Sequence, residues 1–285
     1  MTLSAAPRLL LVHAHPDDES LWTGGTIARY AAAGVQVTVV TCTLGEEGEI
    51  IPDALRELAA GCADQLGGYR IGELRSACAA LGVSDHRWLG GPGRWRDSGM
   101  AGVAANAHPR AFAGGDLDEQ AAVLAAVLDD VRPQVVVTYG PDGGYGHPDH
   151  IRAHDVTMAA REKAGDSVGG PARVFHVVNS RQATENGVAE LAQVTDLPYR
   201  LPEPGELPAT DDSRITTTVS IADVLSVKQR ALRAHATQIS VWQSADGTHC
   251  YALSNGIAAP IPAAEFYALA AGDPTGADTD LFGGM

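Results

Sequence analysis

Arg8 to Ala14 is almost continuously apolar, the pattern of a strand buried on both faces. Thr23 to Ala33 follows with helical spacing and is closed by Gly34. Val35 to Thr43 is then β-branched nearly throughout, so strand, helix and strand within about forty residues predict a right-handed βαβ unit. Leu55 to Leu81 has a helical pattern interrupted at Gly67-Gly68, and His86 to Leu89 reads as a short strand. The glycine- and arginine-rich stretch from Gly90 runs without periodicity to Asp116. A loop of that length is functional or disordered. Leu117 to Val131 predicts a helix with Asp116 as its cap and Arg132-Pro133 as its end. Gln134 to Tyr139 is another strand, Pro148 opens a helix reaching Lys163, and Arg173 to Asn179 is a further strand. From Ser180 to Arg214 the pattern is weak. Ile221 to Ala236 predicts a helix, and the chain from Ala258 reads as a Gly/Asp-rich end that frays. Alternating strands and helices predict an α/β fold with a mostly parallel sheet.

Composition narrows the reading. With 285 residues and 45% apolar content, one large α/β domain with a sizeable core is affordable. The net charge of −15 argues against nucleic acid and anionic membranes as partners, since both need lysine and arginine. Cys42, Cys62, Cys78 and Cys250 are scattered, which suits reduced thiols better than a disulfide framework or a zinc knuckle. No signal-peptide pattern or membrane-length apolar run is present in the sequence, so a cytoplasmic location is expected, and no protein partner is predicted.

Chemistry concentrates in two places. His13-Ala14-His15-Pro16-Asp17-Asp18-Glu19 leaves the first strand, and Tyr145-Gly146-His147-Pro148-Asp149-His150 follows the strand ending at Tyr139. Like charges crowded at a strand end repel unless a cation or a reaction needs them. Ligands of open α/β sheets bind beyond the carboxyl ends of the strands, where both clusters fall. Three nitrogen or oxygen ligands with one open position make a catalytic zinc site, and His15, Asp18 and His150 can supply that set. His154, four residues after His150, forms an equally spaced pair, so spacing leaves the choice open. Asp17 reads as a general base or as a helix cap, and Glu19 as an orienting partner of a ligand histidine or as an ion-pair residue. His147 is placed to meet developing charge or to protonate a leaving amine, and Tyr145 to donate to an oxyanion. Gly24-Gly25 lacks the G-x-G-x-x-G context of a dinucleotide turn, and no G-x-S-x-G elbow is present.

On the residues His15-Pro16-Asp17-Asp18 and His147-Pro148-Asp149-His150 the chain resembles the LmbE-like, or PIG-L-type, zinc-dependent N-deacetylases. Thr41 to Glu49, Gln65 to Leu74, Gly93 to Met100, His235 to Gln238 and Ala252 to Asn255 are similar to the branch of that family acting in mycothiol biosynthesis, which removes acetate from N-acetylglucosaminyl-inositol. The resemblance implies a Rossmann-like three-layer fold. Its catalytic, metal-binding part would span residues 1–165, with a smaller part at 166–285 closing over the site and ending in a flexible tail. It implies metal binding by His15, Asp18 and His150, base catalysis by Asp17, and charge stabilisation or amine protonation by His147. Tyr145 would polarise the acetyl carbonyl, and Arg70, Asp97 and Glu49 would contact the sugar or inositol. Zn2+ is the implied cofactor; imidazole and carboxylate also suit Fe2+ in the cell. The implied substrate is a small amino-sugar inositol. Trp22 departs from both branches: the amidases that cleave mycothiol conjugates carry lysine there and the deacetylases a small residue. An amidase of mycothiol S-conjugates, a deacetylase of another N-acetyl sugar and a non-catalytic metal-dependent glycan-binding module are the competing functions.

Overall fold

The computed structural model describes residues 6–168 and 170–285. Four parallel strands form its centre: β1 (Arg8–His13), β2 (Gln36–Thr41), β4 (Val135–Tyr139) and β5 (Arg173–Val178), with β3 (Asp85–Trp88) parallel at one edge. Leu9, Leu10, Leu11, Val39, Val40, Val135 and Val137 are buried, because helices cover both faces of the sheet. Those helices are α1 (Asp18–Ala32), α2 (Leu66–Leu81), α3 (Leu117–Val131) and α4 (Pro148–Val168). The expected boundary near residue 165 thus falls within the last turn of α4.

The remaining chain adds α5 (Arg181–Leu191), β6 (Thr217–Ser220), α6 (Leu225–Ala234), the small sheet β7 (Ser240–Gln243), β8 (His249–Ala252) and β9 (Ala259–Pro260), and β10 (Ala264–Ala271). Strand β10 pairs antiparallel with β5 and β6, giving the seven-stranded order β3-β2-β1-β4-β5-β10-β6. The α/β expectation holds, and the sheet is mostly parallel.

Several boundaries differ from the sequence reading, each for a physical reason. The first helix begins at Asp18, five residues before the apolar spacing starts, because its acidic first turn is buried among histidines instead of facing water. The Leu55–Leu81 pattern divides into a 3₁₀ turn (Asp53–Leu58) and α2. Gly67 lies in the first turn of α2 because a Cβ there would come within 2.8 Å of Glu46 Cγ and 2.9 Å of Leu44 Cβ. Gly25 sits mid-helix under Ile221, whose Cβ would lie 2.7 Å from an added Cβ. Its role is close packing. At the same point Glu265 of β10 accepts hydrogen bonds from Gly25 N and Thr26 N, both 2.8 Å, while Lys228 Nζ reaches Leu21 O (2.9 Å) and Glu265 Oε1 (2.6 Å). The segment from Ala258, expected to fray, forms β9 and β10. The stretch beyond it is held by Arg173, which donates to the carbonyls of Asp273, Leu281, Gly283 and Thr275 at 2.6–3.1 Å. Leu281 is fully buried and its N–H donates to Tyr30 Oη.

Candidate metal and catalytic site

Parallel β1 and β4 are hydrogen-bonded neighbours, so the turns leaving their carboxyl ends meet. The first turn carries His15, Asp17 and Asp18. The second contains three glycines at positive φ, Gly143 (65°), Gly144 (80°) and Gly146 (84°), and delivers His147, Asp149 and His150 at the start of α4. Gly143 is under steric compulsion: a Cβ would come within 2.8 Å of His150 Cβ.

The two sequence clusters converge. Asp18 Oδ2 lies 3.3 Å from His15 Nδ1 and 3.4 Å from His150 Nε2. His150 is fully buried; its Nδ1 meets the Gly143 carbonyl at 3.1 Å, and its Nε2 has no hydrogen-bond partner. A Nδ1–H donated to that carbonyl leaves the Nε2 lone pair facing the Asp18 carboxylate 3.4 Å away, an arrangement that costs free energy unless a cation lies between them. On the other side, His15 Nε2 faces Asp149 Oδ2 (3.2 Å) and Asp97 Oδ1 (3.4 Å). A carboxylate on the far nitrogen fixes the ring orientation, as in many metal-binding histidines, and a cation beside Asp18 would displace the Nδ1 proton and take that nitrogen as a ligand. The donor set therefore fits a divalent ion. His15, His147 and His150 also offer one nitrogen each within 4.8 Å of one another, so geometry admits His147 as well as Asp18 beside the two shared histidines. His154 is turned away: its Nδ1 lies 3.0 Å from Tyr139 O and its ring stands against His176.

Electrostatics follow from burial. Desolvation opposes charge on His15, but Asp97, Asp149 and Asp18 around it raise its pKa well above the usual value. Burial likewise opposes ionisation of Asp18, yet His150 and His15 hold its carboxyl well below the usual range. His147 falls to about 3, through burial and the neighbouring His15 and His150. The His147 Nδ1 accepts the Asp149 N–H at 3.1 Å, so the neutral ring carries its proton on Nε2.

Asp17 stands apart from the candidate ligands. Its φ is 129°, a conformation that costs a non-glycine residue about 1–3 kcal/mol and that clusters at functional sites. Its side chain makes no capping bond to α1. Instead Oδ2 lies 3.0 Å from Arg70 Nη2, and the same guanidinium donates to Gly45 O (2.7 Å) and Pro16 O. Burial pushes the Asp17 carboxyl up to about 6 against the opposing pull of Arg70.

The outer residues divide. Arg70 and Asp97, expected to contact sugar, are both buried; Arg70 Nη1 and Nη2 meet protein partners while its Nε makes no hydrogen bond, and both Asp97 oxygens meet protein groups. Asp97 accepts from Gly99 N (2.8 Å) and Glu47 N (3.2 Å) besides facing His15. Glu49 lies at the rim, where Ser254 Oγ donates to it at 2.6 Å. Tyr145 is 46% exposed, with its ring 4.9 Å from that of His150. Trp22 packs under the same loop, since a Cβ on Gly144 would come within 2.8 Å of its ring. The aperiodic segment after Gly90 contributes directly: Ser98 N donates to Asp149 Oδ2 at 2.9 Å, and Asn106 Nδ2 holds the Ser98 carbonyl. Sequence reasoning missed Tyr139, which stacks on His150 (4.1 Å between centroids, 21°) and accepts the Ala14 N–H. It named His235 only within a similar stretch and gave it no role; its ring meets Glu19 beside the site. Asp149 stands inside the second motif, yet nothing in its spacing announces that it orients His15.

Residues 10–161 match the GlcNAc-PI de-N-acetylase (PIG-L) family, which is more than half of the chain. The chain belongs to the PIG-L family. A relative from Actinosynnema mirum, 1D-myo-inositol 2-acetamido-2-deoxy-alpha-D-glucopyranoside deacetylase, is 69% identical across 100% of this chain and 99% of its own. Among solved structures, N,N'-diacetylchitobiose deacetylase from Pyrococcus horikoshii aligns with a TM-score of 0.51 and 20% identity, covering 82% of this chain and 71% of that one. GalB, the 4-carboxy-2-hydroxymuconate hydratase of Pseudomonas putida KT2440, aligns with a TM-score of 0.54 and 22% identity, covering 81% and 80%. Since a hydratase shares the PIG-L fold, these structural likenesses speak to the fold alone.

Proposed function

We propose that this PIG-L protein hydrolyses the acetamide of 1D-myo-inositol 2-acetamido-2-deoxy-alpha-D-glucopyranoside, releasing acetate and the free amino sugar, with a divalent metal held by His15, Asp18 and His150. The observation that carries the metal chemistry is the buried, unpartnered Nε2 of His150 beside Asp18. The substrate assignment rests on the activity named for the 69% identical relative. Zn2+ is the ion we propose; the nitrogen and carboxylate donors also suit Fe2+.

When bound, the ion would acidify water and polarise the acetyl carbonyl. The protein's own groups do the rest. Asp17, with Oδ2 anchored by Arg70, accepts the proton of the attacking water on its other oxygen and later delivers it to the departing amine. His147, neutral and protonated on Nε2, donates a hydrogen bond to the tetrahedral oxyanion, and the Tyr145 hydroxyl donates from the loop above. Asp149 and Asp97 keep the His15 ring oriented. Glu49, exposed and bonded to Ser254, would meet the inositol or sugar hydroxyls.

Specificity constants compared for the acetylated pseudo-disaccharide, a bulky mycothiol thioether conjugate and simple N-acetylglucosamine test the substrate. The proposal expects the first to dominate. Preference for the thioether conjugate would make the protein an amidase, and binding of sugar without acetate release would make it a glycan-binding module.

A further inference from the structure

Glu19 is open, from sequence, between orienting a ligand histidine and pairing with a charge. In the structure it contacts neither ligand histidine through a hydrogen bond. One oxygen, Oε1, lies 2.7 Å from Nε2 of His235 and accepts from Ser20 Oγ. The other, Oε2, accepts the backbone N–H of Asp17 at 2.9 Å. Glu19 and His235 are both fully buried, so their contact is undiluted by water. His235 follows α6, and its segment is pinned from two sides. Its carbonyl accepts from Gln238 N and Ile239 N, and Glu73 on α2 grips Thr237 through N (2.8 Å) and Oγ1 (2.7 Å).

An aspartate just before a helix ordinarily has extended backbone and folds its carboxylate onto the first free N–H groups of that helix. Asp17 does neither. Ser20 N and Leu21 N bond to its carbonyl instead, both at 2.9 Å, and its φ is 129°. The contact that accompanies the turned backbone is the Glu19 grip on the Asp17 N–H at 2.9 Å; it is half of a capping box, made from the second helical residue instead of the third and without the reciprocal Asp17 cap.

We propose that Glu19, backed by His235, is a positioning residue for Asp17: it holds the Asp17 backbone turned so that the carboxylate faces the reaction and does not cap α1. The inference rests on the reading of Asp17 as general base. It also gives residues beyond 166 a specific task, since His235 reaches the base through a single side chain.

The test compares Glu19→Gln, which keeps an oxygen acceptor for the Asp17 N–H, with Glu19→Met, which has similar length and none. Steady-state kinetics and metal content are read in each, alone and combined with Asp17→Asn. Glu19→Gln is expected to stay within about tenfold of the parent. Glu19→Met is expected to lose about 10²-fold in kcat, the scale of a misplaced catalytic group, with KM and metal content unchanged. In the Asp17→Asn background the methionine substitution should cost almost nothing further, because residues acting as a unit are non-additive. An undiminished kcat in Glu19→Met, or the same loss in both backgrounds, overturns the proposal. If Glu19→Met does not fold, Glu19→Gln decides: a rate as low as that of Asp17→Asn counts against positioning, and a near-parental rate supports it. Full activity of Asp17→Asn is a separate result, which removes the base itself.

Discussion

Asp17 and Asp18 are adjacent carboxylates pushed in opposite directions by their surroundings. Asp18 lies between two imidazoles and is held ionised; Asp17 is desolvated and rises to about 6. That split suits the proposed roles of Asp18 as ligand and Asp17 as base. Asp17→Asn should therefore retain the metal while losing on the order of 10²–10⁴ in kcat, the usual worth of a general base, as metal analysis and acetate release would show. The base works only as carboxylate, so kcat/KM should fall about tenfold per pH unit on the acid side. A bound cation favours the ionised form, which places the midpoint of that limb at or below about 6. In the proposed role His147 acts without changing its charge. A neutral donor contributes hydrogen bonding, not titration, so His147→Ala should cost about 10²–10³ in kcat and leave the acid limb where it is. A shift of that limb in His147→Ala would show that His147 is the titrating group.

Elements buried on both faces were legible in the sequence because apolar and β-branched residues predominate in them: β1, β2, β4 and β5 read directly from their runs, although Thr38, Thr41 and Thr138 are buried there too. Strand β10 was not. Its alanine-rich sequence carries little signal, and its one acidic residue, Glu265, is buried against Lys228 and the N–H groups of α1, a tertiary demand no local pattern announces. The start of α1 was missed for the related reason that Asp18 and Glu19 look like solvent-facing residues and are buried. Of the candidate site, the two motifs identified the histidines and carboxylates that converge; spacing left open which histidine faces the pocket. The start of α4 decides it, sending His150 inward and His154 onto the Tyr139 carbonyl. His154→Ala should accordingly keep its metal and His150→Ala should lose it. The C-terminal stretch depends on one element-level anchor. Arg173→Met leaves four carbonyls without their donor and is expected to lower unfolding free energy by more than about 2 kcal/mol in urea, with kcat of the folded enzyme unchanged.

On the scale of the whole molecule, the proposed catalytic groups stand at the carboxyl ends of β1 and β4, and the C-terminal third of the chain supports them. β10 and Lys228 grip α1 at mid-length, and His235 and Ser254 reach Glu19 and Glu49 near the pocket. No helix among the described residues is long and apolar enough to cross a membrane. The strongly acidic composition, 35 Asp and Glu against 20 Lys and Arg, suits a neutral sugar substrate better than an anionic one. The central claim is that two distant imidazole–carboxylate turns surround one divalent ion used to cleave an acetamide. The most direct measurement is acetate release from 1D-myo-inositol 2-acetamido-2-deoxy-alpha-D-glucopyranoside by protein stripped with a chelator and then titrated with Zn2+. The account predicts no release without metal and recovery that saturates at one equivalent of ion per chain. Undiminished release from stripped protein, or none after zinc is restored, would contradict it.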